Sequence, residues 1–170
     1  MQSSEFPIQA ERADPGTGGF TLKTTILLVE DSRIQRLTNE RVLLKAGYTV
    51  LNAGDGEEAL RVARKSIPDI ILLDMLLPKL GGREVMQALK RDPPTARIPI
   101  LVFSGLPQTN EGRLKNEGAA GYFEKSRLME EAATGQKELI QLIEDIVQKS
   151  RDAGQGEGQT RSSEAVAGAG

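Results

Sequence analysis

The sequence predicts an α/β fold in which helices cover both faces of a doubly wound, five-stranded parallel sheet. Five short segments rich in strand-forming residues alternate with helical segments, and short loops join them. The segments 26–29, 70–73 and 98–103 are continuously apolar, as central parallel strands should be. The second and fifth strand segments are shorter and more polar, so we place them at the edges. This placement fits the strand order 2-1-3-4-5.

The first two strand–helix units span residues 24–66. Strand 24–29 precedes a helix that Ser32 can cap and that Gly47 can stop. Ile34, Leu37 and Leu44 share one face of this helix and form its predicted apolar stripe. Strand 48–53 follows, and Asp55 with Glu58 has the spacing of a capping box for a helix that ends near Ser66.

The other three units span residues 69–149. Strand 69–74 precedes a helix from Gly82 to Arg91, whose apolar residues are Val85, Met86 and Leu89. The fourth strand is 98–104 and the fifth is 121–125. A helix with a thin apolar stripe is predicted between them, at 108–117. The last predicted helix, about 136–149, carries two adjoining apolar stripes: Leu139, Ile143 and Ile146, and Ile140 with Val147.

Composition sets the domain limits and excludes several classes of protein. Residues 1–22 and 150–170 are poor in large apolar side chains and are predicted to be disordered tails around one domain, 23–149. The chain has no cysteine and no histidine, which excludes disulfides, thiol chemistry and histidine catalysis. A net charge of −2 gives no sign of the positively charged surface that binds nucleic acid. Without a signal peptide or an apolar run of roughly 20 residues, we expect no membrane insertion and a cytoplasmic location.

Polar side chains gather where the predicted strands end. Glu30 and Asp31 end the first strand, Asp74 the third, Ser104 the fourth and Lys125 the fifth. In a doubly wound sheet these ends converge on one cleft, and Asp74 should leave the core there. Three carboxylates repel one another, and Mg²⁺ relieves that repulsion with oxygen ligands. Together with Lys125 and the Ser104 hydroxyl, the site is expected to hold a phosphoryl group.

Four motifs make the chain resemble the receiver domains of bacterial response regulators. They are ILLVEDS (26–32), IILLDMLLPKLGG (70–82), ILVFSG (100–105) and GYFEK (121–125). The resemblance covers 23–149 and implies the flavodoxin-like receiver fold. The segment after the last predicted helix is too short for an output domain, so we expect a stand-alone receiver that resembles those of chemotaxis.

The resemblance implies that Asp74 accepts a phosphoryl group from a phosphohistidine. The donor would be a sensor histidine kinase or a histidine phosphotransfer protein. Glu30 and Asp31 would hold Mg²⁺ together with Asp74 and the backbone carbonyl of Leu76.

The resemblance also implies how the signal leaves the site. Ser104 and Lys125 would be paired residues that contact the phosphoryl oxygens. Tyr122 would be the aromatic switch that reports phosphorylation to the face formed by the fourth helix, the fifth strand and the last helix. A downstream protein would bind that face, or the phosphate would be relayed onward.

Two departures from the family concern the segment after Lys125. Receiver domains usually have proline at the next position, whereas this chain has Ser126, which leaves the geometry of Lys125 open. The segment 126–135 also makes the last strand-to-helix connection longer than usual.

Other positions bear on how long the phosphoryl group persists. The small Gly105 follows Ser104 and leaves access to the site, as the family requires. Leu76 and Leu106 lie two residues after Asp74 and Ser104, and neither apolar side chain can position an attacking water. We therefore expect a long-lived phosphoaspartate.

Two alternative functions stay open, and one is disfavoured. The missing proline after Lys125 also fits a receiver-fold docking module that works without phosphorylation. A Mg²⁺-dependent phosphatase with Asp74 as its nucleophile often needs an acid two residues later, where this chain has Leu76. Dinucleotide binding is disfavoured because no G-x-G-x-x-G follows the first strand.

Overall fold

The computed structural model describes residues 23–105, 111–130 and 132–156. They form a five-stranded parallel sheet in the order β2-β1-β3-β4-β5, which confirms the predicted topology. The strands are β1 (Thr25–Val29), β2 (Thr49–Ala53), β3 (Ile70–Leu73), β4 (Ile100–Ser104) and β5 (Gly121–Glu124). The helices are α1 (Arg33–Lys45), α2 (Gly56–Ser66), α3 (Gly82–Arg91), α4 (Glu111–Asn116), α5 (Arg127–Glu130) and α6 (Ala132–Gly156).

The sheet separates two apolar cores, as expected of a sheet with helices on both faces. On one face β1, β3 and β4 pack against α2, α3 and α4, with Val85, Met86 and Leu89 of α3 fully buried. On the other face Phe103 and Phe123 pack against α1 and α6. The three central strands are buried on both sides, which explains why their sequences are continuously apolar.

Helix boundaries follow the predicted caps. The Ser32 hydroxyl accepts a hydrogen bond from the Gln35 N–H at 3.4 Å, and Gly47 ends the helix with φ of +93°. The Asp55 carboxylate accepts from the Glu58 N–H at 2.8 Å, as predicted. The Glu58 side chain reaches one residue further back than in a capping box and accepts from the Gly54 N–H.

The predicted apolar stripe of α1 is wrong. Ile34, Leu37 and Leu44 are exposed, Ile34 to 79%, whereas Asn39 and Leu43 face the sheet. Only one face of a helix can meet the sheet, and in α1 the face that meets it carries few apolar side chains.

The last helix is longer than predicted at both ends. It begins at Ala132 rather than 136 and continues to Gly156, beyond the predicted limit of 149. The segment 126–135, expected to be a long connection, is largely helical. At the other end the Arg151 guanidinium donates to Asp69 at 3.2 Å and to the Thr24 hydroxyl at 3.3 Å, which ties the extra turns to the sheet. Residues 150–156 of the predicted C-terminal tail, 150–170, therefore belong to α6, and the remaining tail segments 1–22 and 157–170 lie outside the described residues.

Among the helices that the structure describes, none is both long enough and apolar enough to cross a membrane.

Candidate functional site

Three carboxylates meet where β1 and β3 end. Glu30 and Asp31 follow β1, Asp74 follows β3, and the two strands are neighbours in the sheet. One carboxylate oxygen from each residue lies within 4.8 Å of the others. Glu30 and Asp74 are buried and Asp31 is exposed, so the cluster opens to solvent on one side. The predicted convergence of these residues is therefore present in the fold.

Asp74 is buried rather than emerging from the core, with only 5% of its surface exposed. Its Oδ2 accepts a hydrogen bond from Lys125 Nζ at 2.7 Å. Its Oδ1 accepts one from the Ser104 hydroxyl at 3.2 Å and one from the Leu76 N–H at 3.0 Å. A buried carboxylate is stable only when its charge is paired and its oxygens are hydrogen-bonded, and these three donors meet both needs.

Lys125 has an acceptor for each of the three protons of its ammonium group. Besides Asp74, it donates to the Glu30 carboxylate and to Gln35 Oε1, the latter at 3.3 Å. The ammonium also lies 5.5 Å from the centre of the Phe103 ring. The replacement of proline by Ser126 therefore does not keep Lys125 away from the site, although the sequence left its geometry open.

The Glu30 carboxyl is buried where β1 ends. Burial raises the pKa of Glu30 above its ordinary value, and the hydrogen bond and the charge of Lys125 lower it in part. The neighbouring Asp74 charge raises this pKa further. The Ser32 N–H donates to the carboxylate at 3.2 Å, and Arg36 donates to the Glu30 carbonyl at 2.6 Å. The start of α1 therefore holds Glu30 in place.

A close backbone fit fixes the loop between Asp74 and α3. A Cβ atom on Gly82 would lie 2.2 Å from the Asp74 carbonyl oxygen, and a Cβ on Gly56 would lie 2.8 Å from the Leu80 carbonyl oxygen. Neither position has room for a larger residue. Within the loop, Lys79 adopts a left-handed conformation with φ of +64°. These contacts set the direction in which the Asp74 side chain leaves β3.

Tyr122 lies beside the site but points into the core. It pairs in register with Val102 of β4 and packs in the same core cluster as Leu114. Burial raises the pKa of Tyr122, and the charges of Glu124 and Asp74 raise it further. Its side chain is therefore within electrostatic reach of the phosphoacceptor candidate, and the switch role stays a prediction.

Three positions were expected to affect how long a phosphoryl group persists on Asp74, and the structure describes two of them. Gly105 is exposed, and a Cβ atom there would have no neighbour within 4 Å. Leu76 is 59% exposed and its N–H donates to Asp74, so an apolar residue lies beside Asp74. Leu106 lies outside the described residues.

Sequence reasoning missed Gln35 and Arg36. Both lie in the first turn of α1, where Gln35 contacts Lys125 and Arg36 contacts the Glu30 backbone. The available signal was two polar residues one turn after the acidic pair. Nothing in the sequence distinguishes them from polar residues that face solvent.

The donor set fits a hard divalent cation. Three carboxylate oxygens converge, no sulfur or nitrogen ligand competes, and one ammonium offsets only part of the negative charge. Mg²⁺ is bound through a few carboxylates and keeps several waters, which the open side toward Asp31 allows. The same site can also accept a phosphoryl group, because Lys125 and the Ser104 hydroxyl supply donors beside Asp74.

Comparison with known proteins agrees with this geometry. Residues 26–134 match the family model of the response regulator receiver domain. The chain is 38% identical over 104 residues to the gliding motility regulatory protein of Myxococcus xanthus, covering 61% of this chain but only 13% of that much longer protein. It is 33% identical over 101 residues to protein PilH of Pseudomonas aeruginosa, covering 59% of this chain and 84% of PilH.

A solved structure with a similar fold contains a metal. It is the receiver domain of a sensor histidine kinase from Pseudomonas aeruginosa PAO1, with a magnesium ion coordinated in its active-site cleft. The TM-score is 0.63 at 26% identity, covering 74% of this chain and 98% of that one. Since the family model matches more than half of the chain and the fold agrees, the chain belongs to the response regulator receiver domain family of signalling proteins.

Proposed function

We propose that this receiver domain accepts a phosphoryl group on Asp74 from a phosphohistidine of a sensor histidine kinase or a histidine phosphotransfer protein. The observation that carries the proposal is the Asp74 carboxylate between Lys125 Nζ, at 2.7 Å, and the Ser104 hydroxyl, at 3.2 Å. Both donors lie where they can contact the oxygens of a phosphoryl group on Asp74.

In the proposed step an Asp74 carboxylate oxygen attacks the phosphorus atom and the phosphorus–nitrogen bond breaks. The electron pair of that bond returns to the imidazole, which takes up a proton from solvent. Phosphoryl transfer depends chiefly on positioning and on charge neutralisation. Lys125 and Ser104 would bind the transferred oxygens. The close approach of Gly82 to the Asp74 carbonyl would fix the direction of the Asp74 side chain.

Glu30, Asp31, Asp74 and the backbone carbonyl of Leu76 would hold Mg²⁺. When bound, the ion would neutralise charge on the phosphoryl oxygens. The convergence of three carboxylate oxygens within 4.8 Å supports this assignment.

The phosphorylated domain would signal through changed protein contacts or pass the phosphate onward. Ser104 and Tyr122 would carry the change toward the face formed by α4, β5 and α6, where a downstream protein would bind. Tyr122 supports this role because it is packed against α4 and lies within reach of the Asp74 charge. The cytoplasmic location stays a prediction.

The direct test is the intact mass of the protein after incubation with acetyl phosphate, with and without Mg²⁺. We expect a Mg²⁺-dependent gain of one phosphoryl group, and no gain in Asp74→Asn. Asp152→Asn is the matched control, because Asp152 is an exposed aspartate in α6. No adduct on a folded wild-type chain would contradict the proposal and favour the docking module that works without phosphorylation.

The same assay measures how long the adduct persists. Because Leu76 is apolar, it cannot position a water for attack on the phosphoaspartate, so we expect slow decay after the donor is removed. Leu76→Gln should shorten the lifetime by supplying a polar group. An adduct that decays rapidly in the wild-type chain would contradict this expectation.

A further inference from the structure

We propose that the α5–α6 corner, residues 126–130 and 132–138, positions Lys125 and that Arg127 and Gly135 are its positioning residues. The inference rests on the proposed function, because positioning matters through the contact of Lys125 with the phosphoryl group. Residue 131 lies outside the described residues. The corner differs from the remainder of the site in that its residues do not touch Asp74.

The backbone of Lys125 is held from two sides. Its N–H donates to the Ser104 carbonyl at 3.0 Å, and its own carbonyl accepts from the Leu128 N–H at 3.1 Å. The Leu128 side chain packs against the core cluster that contains Phe103 and Phe123. The first hydrogen bond fixes Lys125 to β4, and the second fixes it to α5.

Helix α6 fixes α5 in turn through a close backbone contact. A Cβ atom on Gly135 would lie 2.2 Å from the Arg127 carbonyl oxygen and 2.7 Å from its carbonyl carbon. Real Cβ contacts are essentially never shorter than 3.0 Å, and a backbone neighbour cannot rotate away. Only glycine at position 135 therefore allows α6 to approach the peptide between Arg127 and Leu128.

The Arg127 side chain adds a second contact between the same elements. Its guanidinium pairs with Glu138 of α6 at 2.7 Å and lies 5.8 Å from the centre of the Phe123 ring. That ring stacks on Phe103 at 6.0 Å, and the Lys125 ammonium lies 5.5 Å from the Phe103 ring centre. A continuous set of contacts therefore joins α6 to the ammonium group that donates to Asp74.

This arrangement accounts for the serine that follows Lys125. A proline would restrict the backbone directly, whereas Ser126 restricts it only through a hydrogen bond between its hydroxyl and Glu124, at 2.7 Å. The helical turn of α5 and its contact with Gly135 supply the remaining restriction. The extra length of the segment 126–135, which the sequence left unexplained, thus has a role in the site.

The first test measures the position of Lys125 without any phosphorylation. The Lys125 side chain is only 13% exposed and hydrogen-bonded to three acceptors, so acetic anhydride should acetylate it slowly in the wild-type chain. Gly135→Ala should increase the acetylation rate of Lys125 severalfold, as measured by peptide mass. Gly154→Ala is the matched control, since it lies in the same helix and a Cβ there meets no atom within 4 Å.

The second test asks whether the effect passes through Lys125. Gly135→Ala should slow phosphorylation by acetyl phosphate by roughly tenfold or more, because a small displacement of the Lys125 ammonium lowers the reaction rate strongly. In a Lys125→Ala background the same substitution should have no further effect. A purely structural role would slow phosphorylation equally in both backgrounds, and that result would overturn the proposal.

Arg127→Gln answers the same question if Gly135→Ala does not fold. The loss of an exposed ion pair and of one ring contact predicts a smaller effect, about threefold, again absent in the Lys125→Ala background. Arg61→Gln, which removes a comparable exposed ion pair in α2, should leave the rate unchanged. An equal loss in Arg61→Gln, or no loss in Arg127→Gln together with unchanged Lys125 acetylation, would overturn the proposal.

The two proposals fail in different ways. If the wild-type chain forms no adduct, the proposed phosphorylation fails, while the acetylation of Lys125 still decides whether the corner positions it. If the adduct forms but Lys125 acetylation is the same in wild type, Gly135→Ala and Gly154→Ala, the positioning role fails alone.

Discussion

Helices α3 and α1 serve the same site in different ways. Helix α3 has ten residues and buries Gly82, Val85, Met86 and Leu89. Helix α1 has thirteen residues and buries only Asn39 and Leu43. The shorter helix therefore contributes more to the core, and the longer one leaves most of its apolar side chains in solvent.

The difference follows from what each helix contacts near the carboxylates. The start of α3 contributes a backbone contact, Gly82 against the Asp74 carbonyl. The start of α1 contributes side chains, since Gln35 accepts from Lys125 and Arg36 donates to the Glu30 carbonyl. We infer that α3 holds the site by packing, whereas α1 holds it by polar contacts.

The broadest expected effect is at the start of α3, where one substitution should lower both stability and the rate of phosphorylation. Gly82→Ala should destabilise the fold by about 1–3 kcal/mol, since the new Cβ would overlap the Asp74 backbone. It should also slow phosphorylation by roughly tenfold or more because Asp74 must shift. Urea unfolding and adduct mass measure the two effects.

Gly112→Ala in α4 is the control for that substitution. A Cβ atom at Gly112 has no neighbour within 4 Å, so alanine should stabilise the helix by up to about 1 kcal/mol. If Gly82→Ala behaved like Gly112→Ala, the account of α3 as a packing support would be wrong.

A pair of substitutions in α1 tests how little of that helix supports the core. Leu43→Ala should cost about 2–4 kcal/mol because its side chain is fully buried. Leu37→Ala should change stability by no more than about 0.5 kcal/mol because Leu37 is exposed. Similar losses for the two variants in urea unfolding would show that the exposed stripe of α1 also contributes packing.

The smallest effect concerns Tyr48, which follows α1 and packs in the same cluster as Leu43. Its hydroxyl is buried and has no hydrogen-bond partner among the described residues. Removing an unpaired polar group costs little, so Tyr48→Phe should change stability at neutral pH by less than about 1 kcal/mol.

The pH dependence of the same variant has a definite sign. Burial raises the pKa of Tyr48 above its ordinary value of 10.0, and the Glu144 charge raises it further. The folded chain then keeps a proton that the unfolded chain releases, so stability falls as the pH rises above about 10. Tyr48→Phe should lose less stability than wild type between neutral and alkaline pH. An identical loss in thermal unfolding would contradict this.

Sequence patterns predicted the sheet because each strand has its own local signal. Continuous apolar runs identify β1, β3 and β4 as central strands, and polar residues at strand ends predict which side chains converge. The apolar residues of α3 were predicted correctly because they lie on the face that meets the sheet.

The same reasoning failed for α1 because periodicity shows that a helix has an apolar stripe but not that the stripe faces the core. Ile34 and Leu37 have helical spacing, yet the sheet meets Leu43 instead. The contacts of Gln35 and the approach of Gly135 to Arg127 depend on how distant segments come together, so no local pattern contains them.

The hydrogen bonds from Arg151 to Asp69 and Thr24 bear on how this domain can be joined to other polypeptides. These contacts lie at the amino ends of β1 and β3, and the carboxylates lie at the carboxyl ends of the same strands. Thr24, near the first described residue, and Arg151, in the last turns of α6, therefore lie on the side away from Asp74. A module fused before Thr24 or after α6 would start at a distance from Asp74 and leave the carboxylate cluster accessible. Such an arrangement suits a domain whose relatives include proteins many times its own length.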